Sequence, residues 1–478
     1  MPFRVRHARV DGRARPSTAV APPPLSKGTA TMNVRRTAAA LAASAVAGAL
    51  AAPAASAAPA AHPPAAAHVS SAAHVAPPGH VSAAADPPAA LYGDKDPAYD
   101  GVWRQSTALL ALDTAGVTPA REAVRWLVEQ QCDSGGFAPY RADPARKCDA
   151  KTPVDSNATA AAVQALAALG GHAGAVEKAV GWLKSVQNED GGWGYAPGGA
   201  SDTNSTAVVI GALASAGEDP DRVTSGEGRS AYDGLLAFQL GCDAGAADRG
   251  AFAYQPDKKG GLTANDDATV AGALAGLGEG FVVDPPERDK TEDPERDGAE
   301  DTAAPECGSS GAGKDREPGE AAAAAADRIA ATLEKDGRLS VLAPGADKPV
   351  PDPSNTAEAV IALAAAGRLG ATEKPLAWLE KNSAGWTKDN PAGLGMLVLA
   401  AHATGDDPRS FGGTDLVERL AATGPEPEAA PAPEAAAKER DEQGERDDDS
   451  ETIWWIMGAG LVGGIGIGLL LSGRKKRV

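Results

Sequence analysis

Aromatic and basic residues are scarce in this sequence. It has only six Phe, six Tyr and eight Trp in 478 residues, which argues against a site walled with aromatic rings. Without the first 57 residues and the basic end, 33 Lys and Arg remain against 63 Asp and Glu, a net charge of −30. A domain with this charge repels nucleic acid. No Ser/His/Asp order, glycine-rich phosphate loop or HExxH motif occurs, so we predict neither a nucleic-acid partner nor a common hydrolytic activity.

Cysteines are also few, at four. Four cysteines allow three disulfide connectivities. Each neighbouring pair brackets a loop, so we predict the local bridges Cys132–Cys148 and Cys242–Cys307, as suits an oxidising compartment. Zinc is the alternative, but no cysteine lies at a ligand-like spacing from another cysteine or from a histidine. We therefore predict no metal cofactor.

Both ends of the sequence carry targeting signals. Residues 1–57 contain a secretory signal that starts at Met32, with a basic region, an Ala/Val/Leu run and a cleavage site after Ala57. Residues 453–472 are an uncharged apolar run long enough to cross a bilayer. The basic segment 473–478 follows it and predicts a cytoplasmic C-terminus. The sequence therefore predicts a single-pass protein that contacts the membrane through its own C-terminal helix, with an outer ectodomain.

Three stretches have linker composition: 58–90, the acidic insertion 284–320, and a Pro/Glu-rich stalk over 424–451. None buries enough apolar surface to order itself, so all three are predicted to be disordered. The first contains histidines at a spacing of six, His62, His68, His74 and His80. A low-complexity linker is the preferred interpretation, and a metal-collecting tract is the alternative.

The remaining sequence, 91–423, is repetitive. A frame of acid or amide, spacer, polar residue, spacer, Thr and a small residue recurs as DSNATA (155–160), DTNSTA (202–207), NDDATV (265–270) and DPSNTA (352–357), with a weaker RQSTAL (104–109) and a degenerate KDNPAGLGML (388–397). Each copy opens an apolar run that ends near Gly, as helices do. The runs predict helices near 103–115, 157–169, 204–216, 267–277, 355–367 and 392–403.

Amphipathic helices are predicted between these runs, at 122–131, 177–187, 232–239, 325–335, 375–382 and 414–421. Helices that are apolar all round belong inside, and striped helices belong outside. Six inner helices ringed by six outer ones predict an all-α fold, an (α/α)6 toroid. An open α-solenoid is the alternative.

The joints between the helices share a second motif. QCDSGGF (131–137) and QNEDGGW (187–193) both fit Q-x-x-x-G-x-[FW], the third copy is interrupted, and KNSAGW (381–386) is worn. The motif resembles the QW repeat of squalene-hopene cyclases and of the wider prenyltransferase/squalene-oxidase repeat family, including the α-domain of transcobalamin. In that family the glutamine caps an outer helix and its amide packs on the aromatic ring, which ties neighbouring units together. The resemblance therefore implies structural roles for Gln131, Phe137, Gln187, Trp193, Gln239, Phe252 and Trp386.

The resemblance also raises a catalytic alternative. Class II terpene cyclases use an aspartic acid in a D-x-D-D-T-A motif, and ANDDAT (264–269) keeps only the last two acids, Asp266 and Asp267. Ala264 stands where the first acid belongs, and an acid of this type needs neighbours that hold its proton. No zinc-ligand set of the protein prenyltransferases is present either. We therefore name no catalytic residue.

Ligand binding is the preferred interpretation. Parallel inner helices gather their N-termini at one rim, where the capping side chains are joined by nearby tyrosines. The predicted ligand residues are Asp155, Asn157, Asp202, Asn204, Asp266, Asp267, Asp352, Tyr140, Tyr195 and Tyr254. Transcobalamin-type proteins imply a corrinoid as the small-molecule ligand, with a separate lid or transporter component as partner, since this chain lacks a β-rich domain. A surface scaffold or adhesin is the third alternative.

Overall fold

The computed structural model of the chain describes residues 88–285, 316–342 and 347–429. All of them belong to one unit, Ala66–Val478, and the other unit, Met1–Ala65, lies outside the described ranges. The predicted signal segment, histidine tract, membrane span and basic tail fall outside them as well. Within the described ranges, no helix is long and apolar enough to cross a bilayer.

The described residues form twelve α-helices. They are α1 (Gly101–Thr114), α2 (Arg121–Glu129), α3 (Ser156–Leu169), α4 (Ala173–Ser185), α5 (Thr203–Ser215), α6 (Ala231–Leu236), α7 (Asp266–Gly276), α8 (Pro318–Asp336), α9 (Pro353–Ala365), α10 (Glu373–Asn382), α11 (Pro391–Thr404) and α12 (Leu416–Ala421). Two short antiparallel sheets join β1 (Phe252–Ala253) to β2 (Ala264–Asn265), and β3 (Leu339–Val341) to β4 (Val350–Asp352). The protein is therefore all-α, as predicted.

The odd-numbered helices are buried on almost every side. In α11 all residues except His402 are buried, since its sequence is nearly all small or apolar. The even-numbered helices bury one stripe, as in α2, where only Ala123, Trp126 and Leu127 are buried. This contrast between inner and outer helices confirms the prediction from hydrophobic patterning.

Side-chain caps and glycines set the ends of the inner helices. Asp155 accepts a hydrogen bond from the Ala158 N–H at 2.7 Å and so begins α3. The other side-chain N-caps of inner helices are Asp202, Asn265, Asp352 and Asn390. A glycine with positive φ follows each inner helix, at Gly116, Gly170, Gly217, Gly278, Gly367 and Gly405. Both boundary signals therefore behave as the sequence predicts.

Contacts between the inner helices follow a closed order. α1 packs on α3, α3 on α5, α5 on α7, α7 on α9 and α9 on α11, and α11 packs back on α1. Each inner helix also contacts the outer helix that follows it in the chain. The large side chains between them form a common hydrophobic core, which includes Leu109, Leu166, Ile210 and Leu397.

Two of the predicted boundaries are wrong by a few residues. α8 begins at Pro318, inside the stretch predicted as a disordered insertion, because the run of alanines after it has a buried face. At the start of the predicted stalk, the Glu428 carboxylate forms an ion pair with Arg121 at 2.5 Å. The Glu428 backbone N–H donates a hydrogen bond to the Thr118 carbonyl at 3.0 Å. The first residues of the predicted stalk therefore lie against the helical unit.

Candidate functional site

The three QW-type loops that keep their glutamine use it to join one helix pair to the next. The Gln187 amide donates to the Gly191 carbonyl at 2.7 Å in its own loop and to the Val223 carbonyl at 3.3 Å ahead of the next outer helix. Gln131 and Gln239 make the equivalent pairs of bonds, to Gly135 and Ala175 and to Gly250 and Ala321. The glutamine thus bridges two helix pairs, as in the tie between neighbouring units that the resemblance implies, and it does so through backbone carbonyls. We call these loops the seam loops.

The aromatic residue of each seam loop is tied to the inner helix that follows. The Trp193 N–H donates to the Thr206 hydroxyl at 3.0 Å, and its indole N–H donates to the Leu183 carbonyl at 2.8 Å. The same backbone-to-threonine bond recurs from Phe137 to Thr159, from Phe252 to Thr269 and from Leu339 to Thr356. The threonine at the fifth position of the repeat frame therefore has a structural role. Trp386, in the worn copy, is only half-buried against the core.

The tyrosines after these aromatics lie over the caps of the preceding inner helix. The Tyr195 carbonyl accepts from the Ser156 N–H at 2.9 Å, and the Tyr254 carbonyl accepts from the Thr203 N–H at 3.1 Å. Burial, and then the nearby Asp155 carboxylate, raise the pKa of the Tyr195 hydroxyl. Burial raises the pKa of Tyr254 as well, followed by the charge of Asp202. Tyr140 instead stacks on Trp126, with ring centroids 6.4 Å apart.

The structure separates the predicted ligand residues into two groups. Asp155, Asp202 and Asp352 are almost fully buried and serve as N-caps. The N-cap of α7 is Asn265, so Asp266 and Asp267 lie in its first turn, and Asp266 pairs with Arg328 at 3.6 Å. Of the ten predicted residues, only Asn157, Asn204 and Asp267 line the cavity between the inner helices. In three copies the third position of the repeat frame, not the first, therefore faces the cavity, and in the copy that opens α9 the fourth position, Asn355, does so.

This cavity, which we call the N-terminal cavity, extends from the N-terminal turns of α3, α5, α7 and α9 to the C-terminal end of α7. Its volume is about 60 Å³. Its lining is Trp103, Asn157, Gln164, Asn204, Ala207, Val208, Gly211, Asp267, Ala271, Leu274, Ala275, Glu279, Gly280, Phe281, Asn355 and Glu358. The amide oxygens of Asn157 and Asn204 have no hydrogen-bond partner among the described residues, so the cavity presents polar groups that the fold does not satisfy.

Glu358 is the most perturbed acid of the N-terminal cavity. Burial, followed by the charges of Asp267 and Asp352, raises the pKa of its carboxyl to about 8. The carboxyl is therefore largely protonated at neutral pH. Among the caps, burial raises the pKa of Asp155 to about 7, against the opposing effect of its bond from the Ala158 N–H. Perturbed acids in a cavity are typical of functional sites, although buried structural acids behave alike.

The segment after α7 bounds the cavity on one side. The Phe281 N–H donates to the Gln164 side-chain oxygen at 2.9 Å, and the Phe281 ring meets Trp103 edge-on, with centroids 5.5 Å apart. Beyond this segment lies a second cavity of about 390 Å³, which we call the C-terminal cavity. It is lined by Leu110, Asp113, Thr114, Gln164, Ala167, Ala168, Ser215, Val282, Asp284 and His402.

Glu358 was missed in the sequence, although a signal exists. It lies six residues after the first frame position, where the other copies have Ala161, Val208 and Ala271. An acid at a position that is otherwise apolar, in an inner helix, marks a departure from the repeat. Trp103 and Phe281 carried no such signal, since Phe281 precedes a stretch of linker composition.

The seam loop before α3 also carries a disulfide. Cys132 and Cys148 are bonded, with Cα atoms 5.6 Å apart, which confirms the first predicted bridge. Cys242 is disulfide-bonded as well, and its predicted partner, Cys307, lies outside the described residues. In the described part of the chain, no group of three or more His, Cys, Asp or Glu is arranged to hold a metal ion.

Comparison with known proteins adds little to this description. No protein-family model and no curated protein matches the chain. Among solved structures, a protein from Actinoplanes is similar, with 14% identity over 66% of this chain and 92% of that chain. Its TM-score is 0.39, and at this value the similarity supports no conclusion about fold or function.

Proposed function

We propose that the protein is a membrane-anchored, extracellular ligand-binding protein built on an (α/α)6 toroid. The closed order of contacts from α1 through α11 and back to α1 supports the toroid. The observation that carries the binding function is the N-terminal cavity, where the side chains of Asn157 and Asn204 leave acceptor oxygens unpaired beside Asp267 and Glu358. Unsatisfied buried polar groups cost stability, and a bound ligand that forms hydrogen bonds with them would offset this cost.

The anchoring part of the proposal rests on the sequence. The signal segment that starts at Met32 directs the chain outward, and the apolar run 453–472 holds it at the membrane. The Pro/Glu-rich stretch between the helical unit and this run acts as a stalk. A tethered binding protein of this type hands its ligand to a transporter or to a separate lid component.

The size of the cavity limits how a corrinoid would bind. Pockets that enclose ligands of drug size measure about 300–1,000 Å³, whereas the N-terminal cavity measures about 60 Å³. A corrinoid would therefore lie across the mouth and place one polar group inside. A small molecule with a compact polar group would fit without any widening.

One observation favours an enzymatic alternative. Glu358 is largely protonated at neutral pH and shares the cavity with Trp103 and Phe281. A proton donor beside aromatic rings is the arrangement that a cyclase-like reaction needs. A scaffold, by contrast, has no use for the unpaired polar groups in the cavity.

A ligand screen with a blocked variant tests the proposal. The full chain in detergent is screened against corrinoids, polyamines, amino acids and nucleosides by thermal shift. Val208→Phe is screened in parallel, because Val208 lines the cavity and is half-buried, so that a larger ring fills the space. We expect hits that raise the unfolding temperature of the wild type and not that of Val208→Phe. Hits that stabilise both proteins equally would place binding elsewhere.

A further inference from the structure

The charged side chains that line the N-terminal cavity all have the same sign. Asp267, Glu279 and Glu358 are acids, four further lining residues are amides, and the lining contains no Lys, Arg or His. A cavity with this lining is unlike a site for phosphate or carboxylate, which relies on basic side chains or free backbone N–H groups.

The helix N-termini around the cavity do not reverse this preference. Helix N-termini carry partial positive charge and attract anions when their N–H groups are free. Here the capping side chains already accept hydrogen bonds from N–H groups of the first turn. The Ala158 N–H donates to the Asp155 carboxylate at 2.7 Å, and the Ser205 N–H donates to the Asp202 carboxylate at 2.7 Å. Asn265 and Asp352 cap α7 and α9 in the same way. A bound anion would have to displace these bonds.

A second observation points to a ligand that donates hydrogen bonds. Asn157 is only 6% exposed, lines the cavity, and has an amide oxygen without a partner among the described residues. The Asn204 amide oxygen is in the same condition. Acceptors left open in a closed space are satisfied by a group with several N–H donors.

The rest of the wall is apolar and aromatic. The Trp103 and Phe281 rings meet edge-on at 5.5 Å, and Val208 and Leu274 line the space beside them. Aromatic faces attract organic cations, and aliphatic side chains pack against alkyl carbons. An inorganic ion would gain nothing from this part of the wall, and it would need more oxygen ligands in a regular shell.

We infer that the N-terminal cavity binds the primary ammonium group of a small organic amine. This inference rests on the proposed ligand-binding function and names its ligand class. The ammonium group donates to the Asn157 and Asn204 oxygens and pairs with the Asp267 carboxylate, while its first carbons lie against Trp103 and Phe281. Its positive charge lowers the pKa of Glu358, so Glu358 ionises as the ammonium group binds and pairs with it as well. The cavity volume of about 60 Å³ is small. It therefore admits the ammonium group and one or two carbons, and the remainder of a larger amine would extend from the mouth.

Three probes of matched size test the inference. Ethylammonium, ethanol and acetate are titrated against the full chain in detergent at constant ionic strength, and binding is measured by saturation-transfer NMR. We expect a millimolar Kd for ethylammonium, since so few atoms limit the affinity. Ethanol is expected to bind at least about tenfold more weakly, because it lacks the charge. Acetate is expected not to bind.

Two variants locate the binding. Glu358→Gln keeps the shape of the side chain and removes the charge that Glu358 gains when the ammonium group binds, and it is expected to weaken ethylammonium binding about tenfold or more. Asp113→Asn removes an acid from the C-terminal cavity and is expected to leave the affinity unchanged. Thermal unfolding of both variants confirms that they are folded.

The outcomes separate this inference from the proposed function. Equal affinity for ethanol or acetate, lost in Val208→Phe, would overturn the ammonium preference and keep the cavity as a binding site. Displacement of ethylammonium by equimolar K⁺ or Ca²⁺ would replace the organic amine with an inorganic ion. Unchanged ethylammonium binding in Glu358→Gln, or no binding in the wild type, would overturn the inference. The proposed ligand-binding function would then depend only on the result of the ligand screen.

Discussion

The seam loops and the N-terminal cavity differ in how they use the repeat. In the seam loops the same bonds recur from one helix pair to the next, from glutamine to two carbonyls and from a loop N–H to a threonine. In the cavity the equivalent positions vary more, since Asp267 stands where two other copies have Asn157 and Asn204, and Glu358 stands where the other copies have a small or apolar residue. Repetition here accompanies the contacts that hold the pairs together, whereas departures from the repeat gather in the cavity.

Energetics differ in the same way. The seam-loop glutamines donate to two backbone carbonyls each, and the loops bury large rings, so changes there are expected to cost stability. The cavity keeps acids with raised pKa values and unpaired amide oxygens, so changes there are expected to be neutral or stabilising. The following predictions test this contrast, beginning with the largest expected effect.

Replacing Gly191 by alanine is expected to cost about 4 kcal/mol of unfolding free energy or more. Gly191 has φ +90°, and an added Cβ would collide with the Ser230 carbonyl oxygen of the next helix pair. Gly198, in the same loop, also has positive φ (+74°) but no atom within 4 Å of an added Cβ. Gly198→Ala is the matched control and should cost only about 1 kcal/mol. Similar urea midpoints for the two variants would show that the close approach at the seam is unimportant.

Removing the Cys132–Cys148 bridge is expected to cost about 3 kcal/mol, since it closes a loop of 16 residues. The double variant Cys132→Ser/Cys148→Ser leaves Cys242 untouched, and urea unfolding measures the loss. Non-reduced peptide mapping of the wild type should recover the linked pair. A double variant within about 0.5 kcal/mol of the wild type would show that the loop is braced by its hydrogen bonds alone.

Glu358→Gln is expected to stabilise the protein by a few kcal/mol at pH 8.5 and to have little effect near pH 4.5. Burial and the charges of Asp267 and Asp352 raise the folded-state pKa of Glu358 to about 8. The folded state therefore holds a proton that the unfolded state releases near its ordinary pKa, and stability falls as pH rises between the two values. Thermal unfolding across this range measures the slope. Glu189→Gln, an exposed acid of a seam loop, should retain the slope of the wild type, and an unchanged slope in Glu358→Gln would contradict the assignment.

No cyclic product is expected from squalene or similar polyprenes incubated with the full chain, measured by gas chromatography. Asp266→Asn and Asp267→Asn should leave this result unchanged, since Asp266 pairs with Arg328 at 3.6 Å and the first acid of the cyclase motif is absent. A product that disappears in either variant would turn the cavity into a catalytic site and remove the contrast drawn above.

Local signals in the sequence were enough to predict most of the helical framework. Asp155 and Asp202 mark helix starts, and Gly170 and Gly217 mark helix ends, because caps depend on residues adjacent in the chain. The seam was predicted where the motif is complete. It was missed at Leu339, which makes the same bond to Thr356 without a glutamine or an aromatic ring.

The cavity was less predictable because its members come from distant parts of the chain. The sequence placed Asp155 and Asn157 together at one rim, but the turn of α3 buries the first as a cap and turns the second to the cavity. Glu358 and Phe281 meet there only once several helices have packed. Local patterns give no information on which side of a buried helix faces an internal space.

The return of the chain to its starting point has a consequence for its connectivity. The Gly93 N–H donates to the Thr423 carbonyl at 2.7 Å, so the backbone near the beginning of the helical unit lies beside the backbone near its end. A short linker could therefore join these two points, and new ends could be opened at Gly198, where the loop has open space around it. Circular permutants of this kind should refold to the same helical unit, with the order of the helix pairs rotated and every neighbour retained.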